Sequence, residues 1–172
     1  PCRETKFNKD YPEKWKAVQP LFKKISKIFK NLVPDKYKEQ YKTASQTPNY
    51  QIKGTPFSTA TINFNWQTGL HKDKGDFVHG FGNLIVMERG KYDGCHLGFP
   101  QYGVCVDVRQ TDFLAMDVHQ WHCNTDLELK TQNAARVAMV CYLREKIVKC
   151  PDEIPEEYLK ASGHGKIVLK DE

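Results

Sequence analysis

FSTATINFNW, residues 57–66, places Ala60, Ile62, Phe64 and Trp66 at every second position. Side chains of an extended strand alternate faces with that period, whereas a helix repeats every 3.6 residues, so the stretch predicts a strand with one apolar face. The same period continues in GNLIVME (82–88), HLGF (96–99), VCVDVR (104–109), DFLAMDV (112–118) and ARVAMVCYLR (135–144), with Gly, Asn, Asp and Pro turns between them. Upstream the period is helical. Over residues 12–33, Trp15, Val18, Phe22, Ile25, Phe29 and Leu32 recur at steps of three and four, while Lys16, Lys23, Lys24, Lys27 and Lys30 fall mostly on the other side. Pro34 opens a second, shorter helix carrying Tyr37 and Tyr41, TASQTPNYQIKGTP (43–56) connects it to the strands, and PEEYLKAS (155–162) predicts one more short helix. Many short strands behind a helical start predict an α+β, mainly β fold: a sandwich or jelly-roll barrel buttressed by N-terminal helices.

The 172 residues suit a single domain, 1–172, with 1–56 as helical support, 57–150 as the β core and 151–172 as a C-terminal tail. Net charge is +5, and it is uneven: residues 1–50 carry 12 Lys and Arg against 5 Asp and Glu. A basic N-terminal third suits contact with a polyanion such as nucleic acid, although a solvated lysine-rich helix has the same composition. The six cysteines show no CxxC pair and no compact framework, and read as reduced thiols. Of these, Cys95, Cys105 and Cys141 are expected in the core, and Trp66 and Trp121 are expected to pack beside a site. No signal-peptide pattern and no apolar run of about 18–20 residues is visible. The expectation is an intracellular monomer away from membranes, nuclear if the host is eukaryotic. The chain starts at Pro1 rather than Met, as a trimmed or processed chain would, which leaves targeting information open.

Chemistry concentrates at HKDKGD (71–76) and DFLAMDVHQWHCNT (112–125). In extended backbone His71 and Asp73 point together, a two-toothed clamp, whereas a solvated turn would scatter them. His119 and His122 follow His71 by 48 and 51 residues. Two histidines and a carboxylate can occupy one face of an octahedral metal and leave other positions open, the facial triad of non-haem iron(II) oxygenases. Arg136, 14 residues beyond His122, begins an otherwise apolar strand. A guanidinium there is costly unless it meets an anion, and its planar fork suits a carboxylate; a paired surface arginine is the plainer reading.

HKDKGD, the GKYDG turn, YGVCVDVRQTDFLAMDVHQWHCNT and RVAMVCYLRE, taken together over about residues 57–150, resemble the catalytic core of the ten-eleven translocation and J-binding protein (TET/JBP) group of 2-oxoglutarate and Fe(II)-dependent dioxygenases. The resemblance implies a double-stranded β-helix and oxidation of the 5-methyl group of a pyrimidine flipped out of DNA. It implies His71 and Asp73 as iron ligands, His122 rather than His119 as the third because His122-Cys-Asn-Thr125 matches the His-x-x-Thr setting, and Arg136 as the residue holding 2-oxoglutarate. Asp76 would read the pyrimidine edge and Tyr142 would stack on the ring. Arg144 stands where some members have His, which shifts base preference or supplies a phosphate contact. The chain is compact beside the animal enzymes of the family, with neither their long insertions nor their zinc-binding cysteine-rich region, so DNA contacts are expected from elsewhere, such as the basic helix at 12–33. An ionised Asp76 only accepts hydrogen bonds, which favours the amino group of 5-methylcytosine over the carbonyl of thymine. A thymine hydroxylase of DNA, a protein prolyl or lysyl hydroxylase, a small-molecule oxygenase, a non-catalytic nucleic-acid module and a zinc site built from Cys95, His96, His119, His122 and Cys123 are the alternatives. Asn63, Asn65 and His79 lie near HKD without an assigned role.

Overall fold

A computed structural model describes residue 2 and residues 5–150. Helices α1 (Lys6–Asp10), α2 (Pro12–Leu32) and α3 (Pro34–Ala44) precede nine strands: β1 (Thr59–Phe64), β2 (Gly82–Arg89), β3 (Tyr92–Gly94), β4 (Leu97–Phe99), β5 (Val104–Val106), β6 (Phe113–Met116), β7 (Cys123–Asn124), β8 (Leu127–Leu129) and β9 (Ala135–Tyr142). A short α4 (Glu145–Val148) follows. The strands form an antiparallel sheet in the order β1-β9-β2-β6, a facing three-stranded sheet β5-β4-β7, and the pair β3-β8. Two sheets closing on one interior make the jelly-roll expected from the strand pattern.

Alternation along β9 sorts the two cores. Met139 and Cys141 face the helices, joining Ile85 of β2 and Phe113 and Ala115 of β6 in a cluster with Phe22, Ile25 and Phe29 of α2. Ala138 and Val140 point the other way, with Leu84, Val86, Leu114 and Met116, against Leu97, Phe99 and Val106 of the smaller sheet. The three α2 side chains are at most 2 % exposed, and each contributes on the order of 1.5–3 kcal/mol by leaving water. The apolar stripe ends at Phe29, because Leu32 is exposed. Pro34 at the first position of α3 fixes the break between the helices at Val33.

Gln40 ties the helices to the β core. Fully buried, it donates from Nε2 to Pro56 O at 3.0 Å and accepts the Phe81 N–H on Oε1 at 2.9 Å. Gln40→Ala leaves both partners unsatisfied in a site without water access, and a loss of about 2–4 kcal/mol is expected, measured as a lowered urea midpoint at unchanged m-value.

Several expectations change. Cys2 and Cys150 form a disulfide across 148 residues, so the six cysteines are not all thiols. The pairing is tertiary: Cys2 packs on Tyr50, Ile147 and Cys150, and no local spacing announces it. Cys95 and Cys141 are buried as expected, but Cys105 is exposed on β5. Trp66 and Trp121 are not packing groups either, being 62 % and 45 % exposed. Strands β3, β7 and β8 have only two or three residues, too few for a period to show. His71 and Asp73 belong to no strand, although His71 pairs locally with His122. The predicted helix at 155–162, and His164, lie outside the described residues.

Candidate metal and cosubstrate site

The 71–77 segment is pinned between two other stretches of backbone. His71 and His122 exchange both main-chain hydrogen bonds at 2.9 Å, and Asp73 N–H donates to Val118 O at 3.0 Å. On its other side, Phe77 N–H donates to Leu143 O at 2.8 Å and Glu145 N–H to Gly75 O at 2.9 Å. The segment therefore behaves as a short extended stretch held between 118–122 and 143–145, and its alternate residues share a face. His71 Nε2 lies 3.3 Å from Asp73 Oδ1, the two imidazole centroids are 4.3 Å apart, and the donor atoms of His71, Asp73 and His122 all fall within 4.8 Å of one another. Adjacent donors on an octahedral ion with bonds near 2.1 Å are about 3 Å apart, so the set can close on a metal with small rotations.

Hydrogen bonds select the tautomers. His71 Nδ1 is 2.8 Å from Gly69 O, and His122 Nδ1 is 2.8 Å from Gln120 O. Carbonyls only accept, so each Nδ1 carries the proton and each Nε2 lone pair is left for a cation, the orientation given to ligating histidines by their outer partners. His119 is different: Nδ1 lies 3.0 Å from Asp117 Oδ1 and Nε2 3.3 Å from Asp76 O, so both nitrogens are engaged. The alternative zinc group does not assemble. Among the described residues the triad is the one set of three or more potential ligands that converges, while His96 turns to Asp107 at 3.6 Å.

A cavity of about 610 Å³ joins the triad to Arg136, Asp76, Tyr142 and Arg144. Register explains the company: Arg136, Ala138, Val140 and Tyr142 are alternate residues of β9, and all four line it. Arg136 is 4 % exposed, and its Nε has no hydrogen-bond partner. An unpaired buried donor on a fixed cation, aimed at a cavity that holds a metal-binding triad, fits the carboxylate of a keto acid bound to that metal. Arg109 is spent elsewhere: its Nε is 2.6 Å from Asp107 Oδ1 and its guanidinium lies 4.3 Å from the Tyr92 ring centroid. Asp76 has a buried Oδ2 without a partner. Burial, assisted by the charge of Asp73, pushes its carboxyl up to about 7, against the opposing pull of His119 and Arg144.

Asn65 has a role that its sequence setting does not announce. It follows β1 in the left-handed region at φ 46°, conformational space that Asn tolerates better than most residues. From there its Oδ1 accepts the Arg136 N–H at 2.8 Å and its own N–H donates to Arg136 O at 2.8 Å, clamping the main chain beneath the guanidinium. Asn124 likewise accepts two hydrogen bonds from Thr68, at 3.1 and 2.8 Å, and Thr125 Oγ1 accepts the His96 N–H at 2.9 Å, holding the turn behind His122. Asn63 lines the cavity, whereas His79 is exposed and packs edge-on against Phe77. The only sequence signal for Asn65 is a polar residue between Phe64 and Trp66.

A jelly-roll with a His-Asp-His triad at one end and an arginine inside defines a non-haem oxygenase. The Tet_JBP family model, described as the oxygenase domain of the 2OGFeDO superfamily, matches residues 1–145. Over 159 residues the chain is 39 % identical to the thymine dioxygenase JBP1 of Trypanosoma brucei brucei, covering 91 % of this chain and 18 % of that protein. It is 34 % identical over 143 residues to the bifunctional helicase and thymine dioxygenase JBP2 of Leishmania braziliensis, covering 83 % of this chain and 13 % of that protein. The chain thus spans less than a fifth of the length of these relatives. In fold it matches NgTET1 in complex with 5mC DNA, with a TM-score of 0.64, 14 % identity, and coverage of 83 % of this chain and 55 % of that one. The chain belongs to the Tet_JBP family, and is an Fe(II)- and 2-oxoglutarate-dependent dioxygenase domain.

Proposed function

We propose that this domain oxidises the 5-methyl group of thymine in DNA, with the nucleotide flipped into the 610 Å³ cavity. The observation that carries the reading is that single cavity, which brings a metal triad and an unpaired buried arginine together with an unpaired carboxyl and a tyrosine suited to a flat polar ring. Its volume suits a cosubstrate and a base together. His71, Asp73 and His122 hold iron(II), and Arg136 holds the distal carboxylate of 2-oxoglutarate. Iron and oxoglutarate, when bound, supply with dioxygen the oxidant that takes hydrogen from a methyl group. The protein positions that methyl. A base inside a duplex cannot reach the triad, so extrusion is required, and Tyr142 offers a face on which the flipped ring stacks.

Asp76 reads the ring's polar edge. The preference for 5-methylcytosine rests on an acceptor-only carboxylate, and burial weakens that premise by raising the group to about 7. A neutral carboxyl offers one donor and one acceptor, which complements thymine O4 and N3–H as well as the N4 amino group and N3 of 5-methylcytosine, so Asp76 no longer favours cytosine. Iron bound at Asp73 removes part of the upward push, but burial is the larger cause and remains. The choice of thymine is supported by the relatives named as thymine dioxygenases.

The test is competition between otherwise identical duplexes carrying thymine or 5-methylcytosine, with iron(II) and oxoglutarate, read by nucleoside mass spectrometry. Hydroxymethyl product from thymine is expected. Turnover should fall as pH rises through about 7, where Asp76 ionises and faces O4 with a negative charge. Asp76→Asn keeps one donor and one acceptor at every pH, and should lose that limb of the profile while oxoglutarate affinity stays unchanged. Products from 5-methylcytosine alone would overturn the thymine assignment; oxoglutarate turnover driven only by peptide would overturn the DNA reading.

A further inference from the structure

Beside the catalytic cavity lies a second one of about 330 Å³, and Arg144 lines both. Its walls are the start of α2 with Trp15, Lys16 and Gln19, the 50–53 turn with Lys53, and the entry to β1 with Ser58 and Thr59. Lys16, Lys53 and Arg144 are exposed cations, and among the described residues no Asp or Glu lines the cavity. Among the described residues neither Lys16 nor Lys53 has an ion-pair or hydrogen-bond partner for its ammonium group. Like charges gathered around a concave surface without a carboxylate repel one another, and an anion relieves that repulsion.

Two aromatic residues, Trp15 and Tyr50, also line the cavity. Trp15 packs on Phe22 with centroids 5.2 Å apart, and Tyr50 is buried against Ile147 and Cys150. The cavity offers three cations with hydroxyls and amides between them, a set that suits the phosphates of a nucleic-acid backbone. We propose that this second cavity holds the phosphodiester backbone of the DNA strand adjoining the flipped nucleotide, with Lys16 and Lys53 pairing phosphates and Arg144 standing where the strand passes between the cavities. The inference rests on the function proposed above, and gives the basic N-terminal region a defined contact instead of a diffuse field.

The experiment uses the full chain and a Lys16→Ala/Lys53→Ala double variant, with Lys23→Ala/Lys27→Ala as a control that removes the same charge from exposed positions of α2 outside the cavity. Duplex affinity is measured by fluorescence anisotropy between about 50 and 200 mM salt. Every lysine–phosphate pair that is removed should reduce the slope of log K against log salt by roughly 0.9, so the first variant should show a slope shallower by about 1.8 and the control one little changed. Oxoglutarate affinity, which a folding defect would lower, should be equal in all three proteins. An unchanged slope in the first variant, or equal reductions in both, overturns the proposal. Wild-type protein that neither binds DNA nor oxidises any pyrimidine in it overturns the proposed function itself, an outcome distinct from a wild-type DNA oxygenase whose double variant behaves normally.

Discussion

His122→Ala is expected to abolish turnover and to lower iron(II) affinity by more than about 100-fold, whereas His119→Ala should retain most of both. Removing even the partner behind a metal ligand commonly costs about 10–100-fold, and removing one of three protein ligands costs more. The backbone should not collapse, because the paired hydrogen bonds between His71 and His122 use main-chain atoms that truncation leaves intact. His119 sits three residues from His122 and is equally able to ligate in principle. Both of its nitrogens are engaged, by Asp117 and by Asp76 O, so its removal should loosen the 117–120 turn and the Asp76 backbone instead of emptying a coordination position. Anaerobic iron titration of the two variants, with circular dichroism to confirm folding, distinguishes the roles. Iron binding that survives His122→Ala and vanishes in His119→Ala would reverse the assignment.

The features legible in the sequence are those with enough repetition to display a period. The 21 residues of α2 and the eight of β9 each repeat their pattern several times, and the β9 alternation alone puts Arg136, Tyr142 and the apolar barrel positions on one face. The candidate triad is legible because its possible donors come from two short motifs, which the fold brings together. What stays hidden depends on tertiary contact. The Cys2–Cys150 bridge joins the two ends of the described chain, strands of two or three residues carry no period, and the Asn65 clamp is two hydrogen bonds across 71 positions. Tryptophan is apolar and reads as a packing group, yet the rim of an open cavity leaves Trp66 in solvent, and Trp121 is exposed as well. Asp76 misleads for the opposite reason, since its residue type says charged and its surroundings say otherwise.

Arg136 offers the second large effect, and it separates function from stability. Truncating one partner of a buried, hydrogen-bonded charge pair costs on the order of 2–5 kcal/mol, so Arg136→Ala should weaken oxoglutarate binding by about 30-fold to several thousand-fold, with iron(II) affinity nearly unchanged. Arg109 cannot take over while Asp107 and the Tyr92 ring hold it, and an unchanged oxoglutarate affinity would show that Arg144 supplies the cation instead. In the absence of cosubstrate the guanidinium is a liability, being 4 % exposed with an Nε that nothing satisfies. A buried polar group without a partner opposes folding, so the near-isosteric Arg136→Met should melt no lower than wild type without ligand, and higher if relief of the unpaired charge outweighs the poorer packing. Oxoglutarate added to the iron-loaded proteins should then raise the melting temperature of wild type by mass action and raise that of Arg136→Met far less. A marked fall in the ligand-free melting temperature of Arg136→Met would mean that the guanidinium stabilises the fold, and would sink the view that this arginine is kept for an anion the protein has yet to bind.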